Sequence, residues 1–499
     1  MTLGEILAGV RLQAPLSPLL SQLEVQGLDY DSRRVQPGFL FFAFPGSRAD
    51  GRQFARDAVE RGAVAVASES PAADAFPAPW IEVQHGRQSL ALAARNFYRH
   101  PDERIAITGI TDTNGKTTTS YLIDAILRAA GKTTALVGTI EYHLAGRVLP
   151  AVNTTPESLD LHRLFAELEA AGGSHAVLHA VMEVSSHALA LSRVYGLSFH
   201  TAIFTNLTRD HLDFHHTMED YFAAKQLLFS GAGAPPPAWA VLNRDDEWCR
   251  RVQVSRQSEA LWFGLGQGAT VRARHITSNL QGLRFEVQSR KARFMVESPL
   301  LGKINVYNIL AACCAGLSYG FSPETIAAGI ALCRAVPGRF ERIDEGQPFG
   351  VVVDYAHTDD ALKNTIAVAR GLEPKRIITL FGCGGDRDRT KRPLMGQTAA
   401  ENSDFVVLTS DNPRSEDPLA IMNDALVGIR RTDVPHVVEP DRATAIARAI
   451  KEARPGDIVI LAGKGHETYQ VLKDKTIDFD DREVARGVLR GFGYHREPK

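Results

Sequence analysis

The residues best suited to chemistry lie in one short stretch, IAITGITDTNGKTTTS, which spans residues 105–120. Gly115, Lys116 and Thr117 follow an apolar run that predicts a buried strand and precede a segment, 118–130, that predicts a helix. In this arrangement glycine lets backbone N–H groups approach phosphate, lysine supplies charge and threonine can ligate magnesium. The sequence therefore predicts a phosphate-binding loop.

This loop departs from the usual spacing patterns. The pattern G-x-x-x-x-G-K-[ST] would place glycine where the chain has Ile110, and the shorter G-x-x-G-K-T would place it at Asp112. A bare GKT triplet also fits a solvated turn that opens a helix. The rest of the chain must decide between these interpretations.

Three more polar clusters follow apolar segments in the middle of the chain. They are residues 153–157 (NTTPE), the segment from Glu183 to His187, and residues 206–213, which include His211. Ligands bind at the carboxyl ends of strands in open parallel sheets, so the clusters predict one shared site. Because an unpaired buried glutamate is costly, Glu183 is a candidate magnesium ligand. His211 is a second candidate, although a lone histidine is more often structural.

The last third of the chain repeats this alternation of apolar strands and polar turns. Apolar runs end at Asp354, at the glycine-rich segment 382–388, at Asp411-Asn412-Pro413-Arg414 and at the segment 463–467 (GKGHE). Four strands that deliver glycine and charge to one edge predict a second site, which faces a polar and charged ligand.

Length and strand alternation predict an α/β protein of three domains. The 499 residues are enough for about three domains. Residues 39–44 and 63–67 predict strands of a small first domain, and linkers are predicted at 101–104 and 336–339. The expected domains are 1–100, 101–336 and 337–499.

Composition narrows the class of protein. A net charge of −2 argues against a nucleic-acid surface. The five cysteines are odd in number and show no C-x-x-C spacing, so we expect neither a disulfide framework nor a zinc site, and a reducing cytoplasm fits best. We expect no signal peptide and no membrane span, because the N-terminus lacks a basic start and no apolar run is long enough.

The ordered motifs resemble those of the Mur ligases, the ATP-dependent amide-forming enzymes of peptidoglycan precursor synthesis. The resemblance covers essentially the whole chain and is far more specific than the GKT triplet. It rests on DSR, TNGKTT, NTTP, MEVSSHAL, TNLTRDHLDFH, YFAAK, GKINVYN, PGRFE, DYAHT, GCGGDRDRTKRP, DNPR and GKGHE.

The resemblance implies a small N-terminal α/β domain that binds a UDP-substrate, a central P-loop ATPase-like domain with a parallel sheet, and a C-terminal Rossmann-like domain that binds an amino acid. It implies ATP and Mg²⁺, and a carbamylated lysine at Lys225. Within the family the chain is most similar to members that extend UDP-N-acetylmuramoyl-L-alanyl-D-glutamate, and we expect a cytoplasmic monomer with no nucleic-acid partner.

Roles for individual residues are also implied by the resemblance. The UDP-substrate would contact Ser32, Ser47, Arg48, Ala49, Asn153, Thr154, Thr155, Ser185 and Arg193. ATP would contact Asp112, Thr113, Asn114, Gly115, Lys116, Thr117 and Thr118, together with Asn305, Arg339 and Asp354. Magnesium would be held by Thr117, Glu183, His211 and the carbamate of Lys225, and the catalytic set would be Lys116, Lys225, Glu183 and His211.

The form of the DNPR motif resembles that of members that add meso-diaminopimelate. The second carboxylate of meso-diaminopimelate would face Arg414. Its other contacts would come from Arg392, Asp411, Asn412, Pro413, Gly463 and Glu467. A guanidinium can bind a carboxylate through two parallel hydrogen bonds. L-Lysine has no second carboxylate and so cannot accept them. Three alternatives stay open: a ligase for L-lysine or ornithine, a ligase similar to folylpolyglutamate synthetases, and a nucleotide-binding homologue impaired by Asp112.

Overall fold

The computed structural model of the chain describes residues 1–46, 49–72, 76–172, 177–290 and 292–495. The chain divides into two units. The first consists of Met1–Arg272, Gln288–Ala292 and Asn308–Gly329, and the second of Ala273–Val287, Arg293–Tyr307 and Ile330–Lys499. The expected domain boundaries near residues 100 and 336 stay a prediction.

The first hundred residues of unit one form a four-stranded parallel sheet in the order β1-β2-β3-β4. Phe41 and Phe42 point to opposite faces of β2, and both are fully buried because helices cover the sheet. The elements are α1 Leu3–Ile6, α2 Pro18–Ser21, β1 Gly27–Asp29, β2 Phe39–Ala43, α3 Ala55–Glu60, β3 Ala65–Ser68, β4 Trp80–Glu82 and α4 Gly86–Phe97.

A larger sheet forms the rest of unit one and carries the phosphate loop. The strands of this sheet that lie within unit one run in the order β12-β11-β10-β5-β9-β6-β7-β8, and those from β12 to β6 are parallel. The elements are β5 Ile105–Thr111, α5 Lys116–Ala129, β6 Thr133–Val137, β7 Glu141–Leu144, β8 Arg147–Pro150, α6 Ser158–Gly172, β9 Leu178–Glu183, α7 Ser186–Ala190, β10 Thr201–Phe204, α8 Leu212–His215, α9 Met218–Ser230, β11 Trp239–Asn243, α10 Glu247–Arg250, β12 Glu259–Gly264 and β13 Val271–Asn279.

Unit two is built on a six-stranded sheet in the order β16-β17-β21-β18-β19-β20. All its neighbouring strands are parallel except the edge pair β16–β17. From β14 onward the elements of the chain are β14 Gly282–Gln288, β15 Arg293–Ser298, α11 Ile304–Ser318, α12 Pro323–Leu332, β16 Glu341–Arg342, β17 Gly350–Asp354, α13 Asp359–Arg370, β18 Ile377–Phe381, α14 Lys391–Asn402, β19 Phe405–Leu408, α15 Pro418–Ile429, β20 His436–Val438, α16 Arg442–Glu452, β21 Ile458–Ala462, β22 Tyr469–Val471, β23 Thr476–Asp478 and α17 Asp481–Gly491.

The predicted α/β class is confirmed, and so is the parallel arrangement that carries the polar clusters. Strands β5, β9 and β10 are adjacent and parallel, so the segments that follow Thr111, Glu183 and Phe204 leave the sheet at one edge. No helix among the described residues is both long and apolar enough to cross a membrane.

Candidate active site

The phosphate loop connects β5 to α5, as predicted. Gly115 adopts a left-handed conformation with φ +117° directly before the helix. A Cβ atom at this position would lie 2.5 Å from Oδ1 of Asn308, which also accepts a hydrogen bond from the Thr119 hydroxyl. Both the backbone conformation and the close side chain therefore require glycine here.

The Asp112 carboxylate is fully buried within this loop. Its Oδ1 accepts hydrogen bonds from the backbone N–H of Lys116 at 3.2 Å and from Lys116 Nζ at 3.1 Å. Its Oδ2 accepts one from the Thr205 hydroxyl at 2.8 Å. Burial lowers the pKa of Lys116, but the Asp112 carboxylate and other nearby anions outweigh this and raise it above its ordinary value. Asp112 therefore keeps Lys116 charged.

Lys225, on α9, is buried beside the same loop. Its Nζ donates to the Asp112 carbonyl at 2.7 Å and to the Thr111 hydroxyl at 3.4 Å, and it lies 4.6 Å from the centre of the Tyr221 ring. Burial lowers the pKa of Lys225 well below its ordinary value, and the Lys116 ammonium lowers it further. Burial therefore favours the neutral amine of Lys225 over the ammonium more strongly than in an exposed lysine.

Glu183, the last residue of β9, lies next to the start of α5. Its Oε2 accepts hydrogen bonds from the hydroxyls of Thr117 and Thr139, each at 3.0 Å, and its Oε1 accepts one from the Thr139 backbone N–H at 2.9 Å. A carboxylate and a threonine hydroxyl are therefore in contact at the phosphate loop. Both are oxygen ligands suited to magnesium.

His211 lies at the N-terminus of α8 with a left-handed backbone, φ +52°, and its side chain is 46% exposed. Burial of the ring lowers the pKa of His211; Asp210 opposes this shift, and Lys116 and Lys225 add to it. The ring packs edge-on against His187, with ring centres 4.9 Å apart. Among the described residues no three His, Cys, Asp or Glu side chains form a metal cluster. The predicted ligand set includes only two such side chains.

The residues predicted to bind the muramoyl dipeptide are linked by hydrogen bonds. The Thr155 hydroxyl donates to the Glu183 carbonyl at 2.8 Å and accepts from the Ser185 backbone N–H at 3.1 Å. Arg193 Nη1 donates to the Thr155 carbonyl at 3.0 Å, and the Thr154 hydroxyl lies 3.1 Å from that of Thr139. Asn153 is anchored through its backbone to the Tyr142 hydroxyl. Hydrogen bonds thus connect Thr154, Thr155, Ser185 and Arg193 around Glu183, whereas Asn153 is held by Tyr142 of β7.

The predicted uridine-binding residues lie in the first hundred residues. Ser32 is mostly buried and opens a short 3₁₀ helix, Ser32–Arg34, whose preceding residue, Asp31, accepts a hydrogen bond from Arg33 N–H. Ala49 is exposed. Ser47 and Arg48 lie outside the described residues.

In unit two, Arg339 and Asp354 are close together near the end of β17. The Asp354 carboxylate accepts hydrogen bonds from the backbone N–H groups of Phe340 and Ala356 and from the Thr365 hydroxyl. Burial raises the pKa of Asp354, and Arg339 opposes that shift. Asn305 is buried, and its Nδ2 donates to the Leu301 carbonyl at 2.7 Å.

The turn after β19 and the turn after β21 meet in unit two. The Asn412 side chain donates to Glu467 Oε2 at 3.0 Å and accepts from the Val471 backbone N–H at 2.9 Å. A Cβ atom on Gly463 would lie 2.8 Å from Asp411 Oδ2. Arg414 Nη1 donates to the carbonyls of Gly385 and Asn412, at 2.8 and 3.4 Å. Nε and Nη2 of that guanidinium donate to no described group.

Arg392, on α14, is paired with acidic side chains of the chain itself. Its side chain is 2% exposed and forms ion pairs with Glu416 at 2.7 Å and Asp424 at 3.0 Å. Its guanidinium is thus already paired with two carboxylates of the chain. The predicted contact between Arg392 and a substrate carboxylate stays a prediction.

Three models of Mur ligase domains match this chain, one after another along the sequence. The Mur ligase family catalytic domain matches residues 24–98, the Mur ligase middle domain residues 108–316, and the Mur ligase glutamate ligase domain residues 338–465. A UDP-N-acetylmuramoyl-L-alanyl-D-glutamate–2,6-diaminopimelate ligase of Solibacter usitatus is 72% identical over 99% of this chain and 100% of its own length. The chain belongs to the Mur ligase family.

Two further Mur ligases are similar over nearly their whole length. The enzyme of the same name from Geobacillus thermodenitrificans is 46% identical over 94% of this chain and 95% of its own. A solved structure of a UDP-N-acetylmuramoyl-L-alanyl-D-glutamate–2,6-diaminopimelate ligase is 32% identical, with a TM-score of 0.71 and 99% of both chains covered. Mur ligases are ATP-dependent amide-forming ligases, so the predicted family, fold and reaction class are confirmed.

Sequence reasoning missed several residues that this Mur ligase places at its sites. Thr139 donates twice to Glu183, and Thr205 donates to Asp112. Arg87 forms an ion pair with Glu157, a member of the predicted cluster 153–157, and Glu157 also pairs with Arg193. Thr139 and Thr205 each follow the carboxyl end of a strand, and this signal could have found them. No sequence signal pairs Arg87 with Glu157.

Proposed function

We propose that this chain adds meso-diaminopimelate to UDP-N-acetylmuramoyl-L-alanyl-D-glutamate in peptidoglycan precursor synthesis, at the expense of ATP. The observation that carries the choice of amino acid is the state of Arg414. One nitrogen of its guanidinium is fixed to two backbone carbonyls, and the remaining N–H groups donate to no described residue. A fixed guanidinium with unused donors suits the second carboxylate of diaminopimelate.

The reaction explains why the phosphate loop needs the positive charge of Lys116. A carboxylate is a poor acyl donor, so the substrate carboxylate takes the γ-phosphoryl group of ATP and becomes an acyl phosphate. The amine of the incoming amino acid then attacks, and phosphate leaves. Because two anions meet in the first step, Lys116 would hold the phosphates with the backbone N–H groups of residues 113–118.

The donor set at the loop fits magnesium. Thr117, Glu183, His211 and a carbamate on Lys225 would hold the ion, which when bound would neutralise charge on the transferring phosphoryl group. Lys225 is proposed as the carbamylated residue because burial lowers the pKa of its amine, which favours the neutral form that reacts with CO2. The product is an anion that suits a hard cation.

The remaining site residues are proposed from the resemblance of their motifs to those of the Mur ligases. Ser32, Ser47, Arg48 and Ala49 would hold the uridine part, and Asn153, Thr154, Thr155, Ser185 and Arg193 the muramoyl dipeptide. Asn305, Arg339 and Asp354 would line the nucleotide. Arg392, Asp411, Asn412, Pro413, Arg414, Gly463 and Glu467 would hold diaminopimelate. We also propose that the enzyme acts in the cytoplasm as a monomer.

An amino-acid panel tests this function. The purified chain is incubated with UDP-N-acetylmuramoyl-L-alanyl-D-glutamate, ATP and Mg²⁺, and with meso-diaminopimelate, L-lysine or L-ornithine in separate reactions. We expect ADP release and a UDP-linked tripeptide with meso-diaminopimelate, at a higher kcat/KM than with the other two. Better turnover with lysine or ornithine would overturn the assigned amino acid. Absence of any tripeptide, with the UDP-substrate still bound, would indicate a homologue impaired at the phosphate loop.

A further inference from the structure

A fully buried lysine lies between two of the residues assigned to diaminopimelate. The side chain of Lys464 has no exposed surface. Its Nζ donates to Glu467 Oε2 at 3.0 Å and approaches Asn412 Oδ1 at 3.4 Å. It also lies 5.5 Å from the centre of the Tyr469 ring. A buried ammonium is costly unless it is paired, and Glu467 is the carboxylate that pairs with it.

The two oxygens of Glu467 therefore differ. Oε2 accepts hydrogen bonds from both Lys464 Nζ and Asn412 Nδ2, whereas Oε1 accepts no hydrogen bond from the described residues. The Glu467 side chain is 16% exposed. One oxygen thus remains available to accept a hydrogen bond from a ligand, while the negative charge of the group is already balanced.

The segments 411–414 and 463–467 carry two acidic side chains, Asp411 and Glu467, and two basic ones, Lys464 and Arg414. Asp386 also lies near Arg414 and interacts with its charge. The next charged pair, Arg442 and Asp481, is fully buried and internally matched at 2.6 Å. A carboxylate oxygen whose charge is already paired with Lys464, together with the unused donors of Arg414, suits a ligand end that carries both an ammonium and a carboxylate.

We infer that Lys464 is a specificity-determining positioning residue, which cancels the charge of Glu467 so that the pocket prefers a zwitterionic amino-acid end to a bare ammonium. The inference rests on the proposed function. The far end of diaminopimelate has no net charge, whereas the far end of L-lysine is a cation. With Lys464 in place, that cation would lose its hydration without meeting an uncompensated anion.

The test measures kcat/KM for meso-diaminopimelate and for L-lysine in the wild type and in Lys464→Met and Lys464→Arg. We expect Lys464→Met to lower the ratio of diaminopimelate to lysine by about tenfold or more, through the KM values of the amino acids and not through kcat. Lys464→Arg keeps the charge and should hold the ratio within about threefold of wild type. An unchanged ratio in a folded Lys464→Met would overturn the inference.

A second variant covers the case in which Lys464→Met does not fold. Glu467→Gln, at a partly exposed position, leaves the pocket with surplus positive charge and should raise the ratio of diaminopimelate to lysine. A fall in that ratio would also overturn the inference. Failure of the proposed function gives a different result, because the wild type itself would then not prefer diaminopimelate.

Discussion

Asp112 and Lys116 form an ion pair inside the phosphate loop, with Asp112 Oδ1 3.1 Å from Lys116 Nζ and 3.2 Å from the Lys116 backbone nitrogen. Lys116 Nζ and the Lys116 backbone N–H are two of the donors that a phosphate would use at the start of a helix. An anion of the protein therefore occupies donors that ATP needs, and ATP must displace it or bind beside it.

Replacing Asp112 with glycine should improve the use of ATP. Removing the carboxylate frees both donors and removes repulsion of the triphosphate. Because an anion at a helix N-terminus is worth ~1 kcal/mol, we expect KM for ATP to fall by about fivefold, or kcat to rise. Asp112→Asn keeps the shape of the side chain and should give most of the gain. Unchanged kcat and KM in both variants would refute this role for Asp112.

Carbamylation of Lys225 predicts a requirement for CO2. We expect activity to fall in CO2-free buffer and to return on addition of bicarbonate, and ¹³C-bicarbonate to give a protein-bound carbamate signal in NMR. Lys225→Arg should abolish both the signal and the activity, because a guanidinium cannot form the carbamate. Lys451→Arg, at an exposed position on α16, is the matched control. Full activity without CO2, together with an unmodified mass, would argue against the carbamate.

Much of the fold could be predicted because parallel strands that are buried on both faces have continuous apolar sequences. The apolar runs that precede the polar segments at Glu183 and at 382–388 are the strands β9 Leu178–Glu183 and β18 Ile377–Phe381. The polar turns after such strands converge because the strands are parallel. The positions of the phosphate loop after β5, of Glu183 at the end of β9 and of the Asp411–Arg414 turn after β19 follow from that rule.

Other features had no local signal. The hairpin β7–β8 went unrecognised because its strands are four residues long and β8 is mostly exposed. Thr205 bonds to Asp112 from 93 residues away. Lys464 is polar in sequence yet fully buried in the fold. Such pairings depend on tertiary burial, which neither periodicity nor spacing encodes.

His162 predicts a loss of stability in acid. The ring is fully buried on α6, neither nitrogen has a hydrogen-bond partner among the described residues, and burial lowers its pKa to about 3. Below its unfolded pKa of about 6.5 the unfolded chain binds a proton that the folded chain does not, so the free energy of unfolding falls by ~1.4 kcal/mol per pH unit down to about pH 3.

His162→Leu should remove this one-proton contribution. Urea unfolding at pH 7, 6 and 5 should show a flatter pH dependence than wild type. His436→Gln, at an exposed position on β20, should leave the slope unchanged. Equal slopes in wild type and His162→Leu would rule out the assignment.

The buried pair of Arg442 and Asp481 should matter for the stability of unit two. Arg442 also donates to the carbonyls of Ser410 and Ala462, at 3.2 and 3.0 Å, so it fixes the ends of β19 and β21. Arg442→Met would leave a buried carboxylate unpaired and should cost about 3–5 kcal/mol in urea unfolding. The double variant Arg442→Met with Asp481→Leu should recover part of this loss.

A more exposed pair gives the comparison for that experiment. Arg486 and Glu483 are 2.8 Å apart with side chains 29% and 69% exposed, and Arg486 also lies 3.8 Å from Glu341. Arg486→Met should cost less than about 1 kcal/mol. A similar small cost for Arg442→Met would show that the buried pair is not needed for stability.

Arg414 should be the residue on which discrimination between diaminopimelate and L-lysine depends most strongly. Its left-handed backbone, φ +52°, and the bonds from Nη1 to Gly385 and Asn412 hold the guanidinium in one orientation. Arg414→Ala removes a charge-assisted contact of about 1.5–3 kcal/mol, so kcat/KM for meso-diaminopimelate should fall by roughly 10- to 100-fold. L-Lysine has no second carboxylate, and its kcat/KM should hold or rise. Arg414→Lys keeps the charge but loses the two-pronged grip and should recover only part of the activity. An equal loss of kcat/KM for both amino acids would mean that Arg414 stabilises the turn and does not bind the second carboxylate of the substrate.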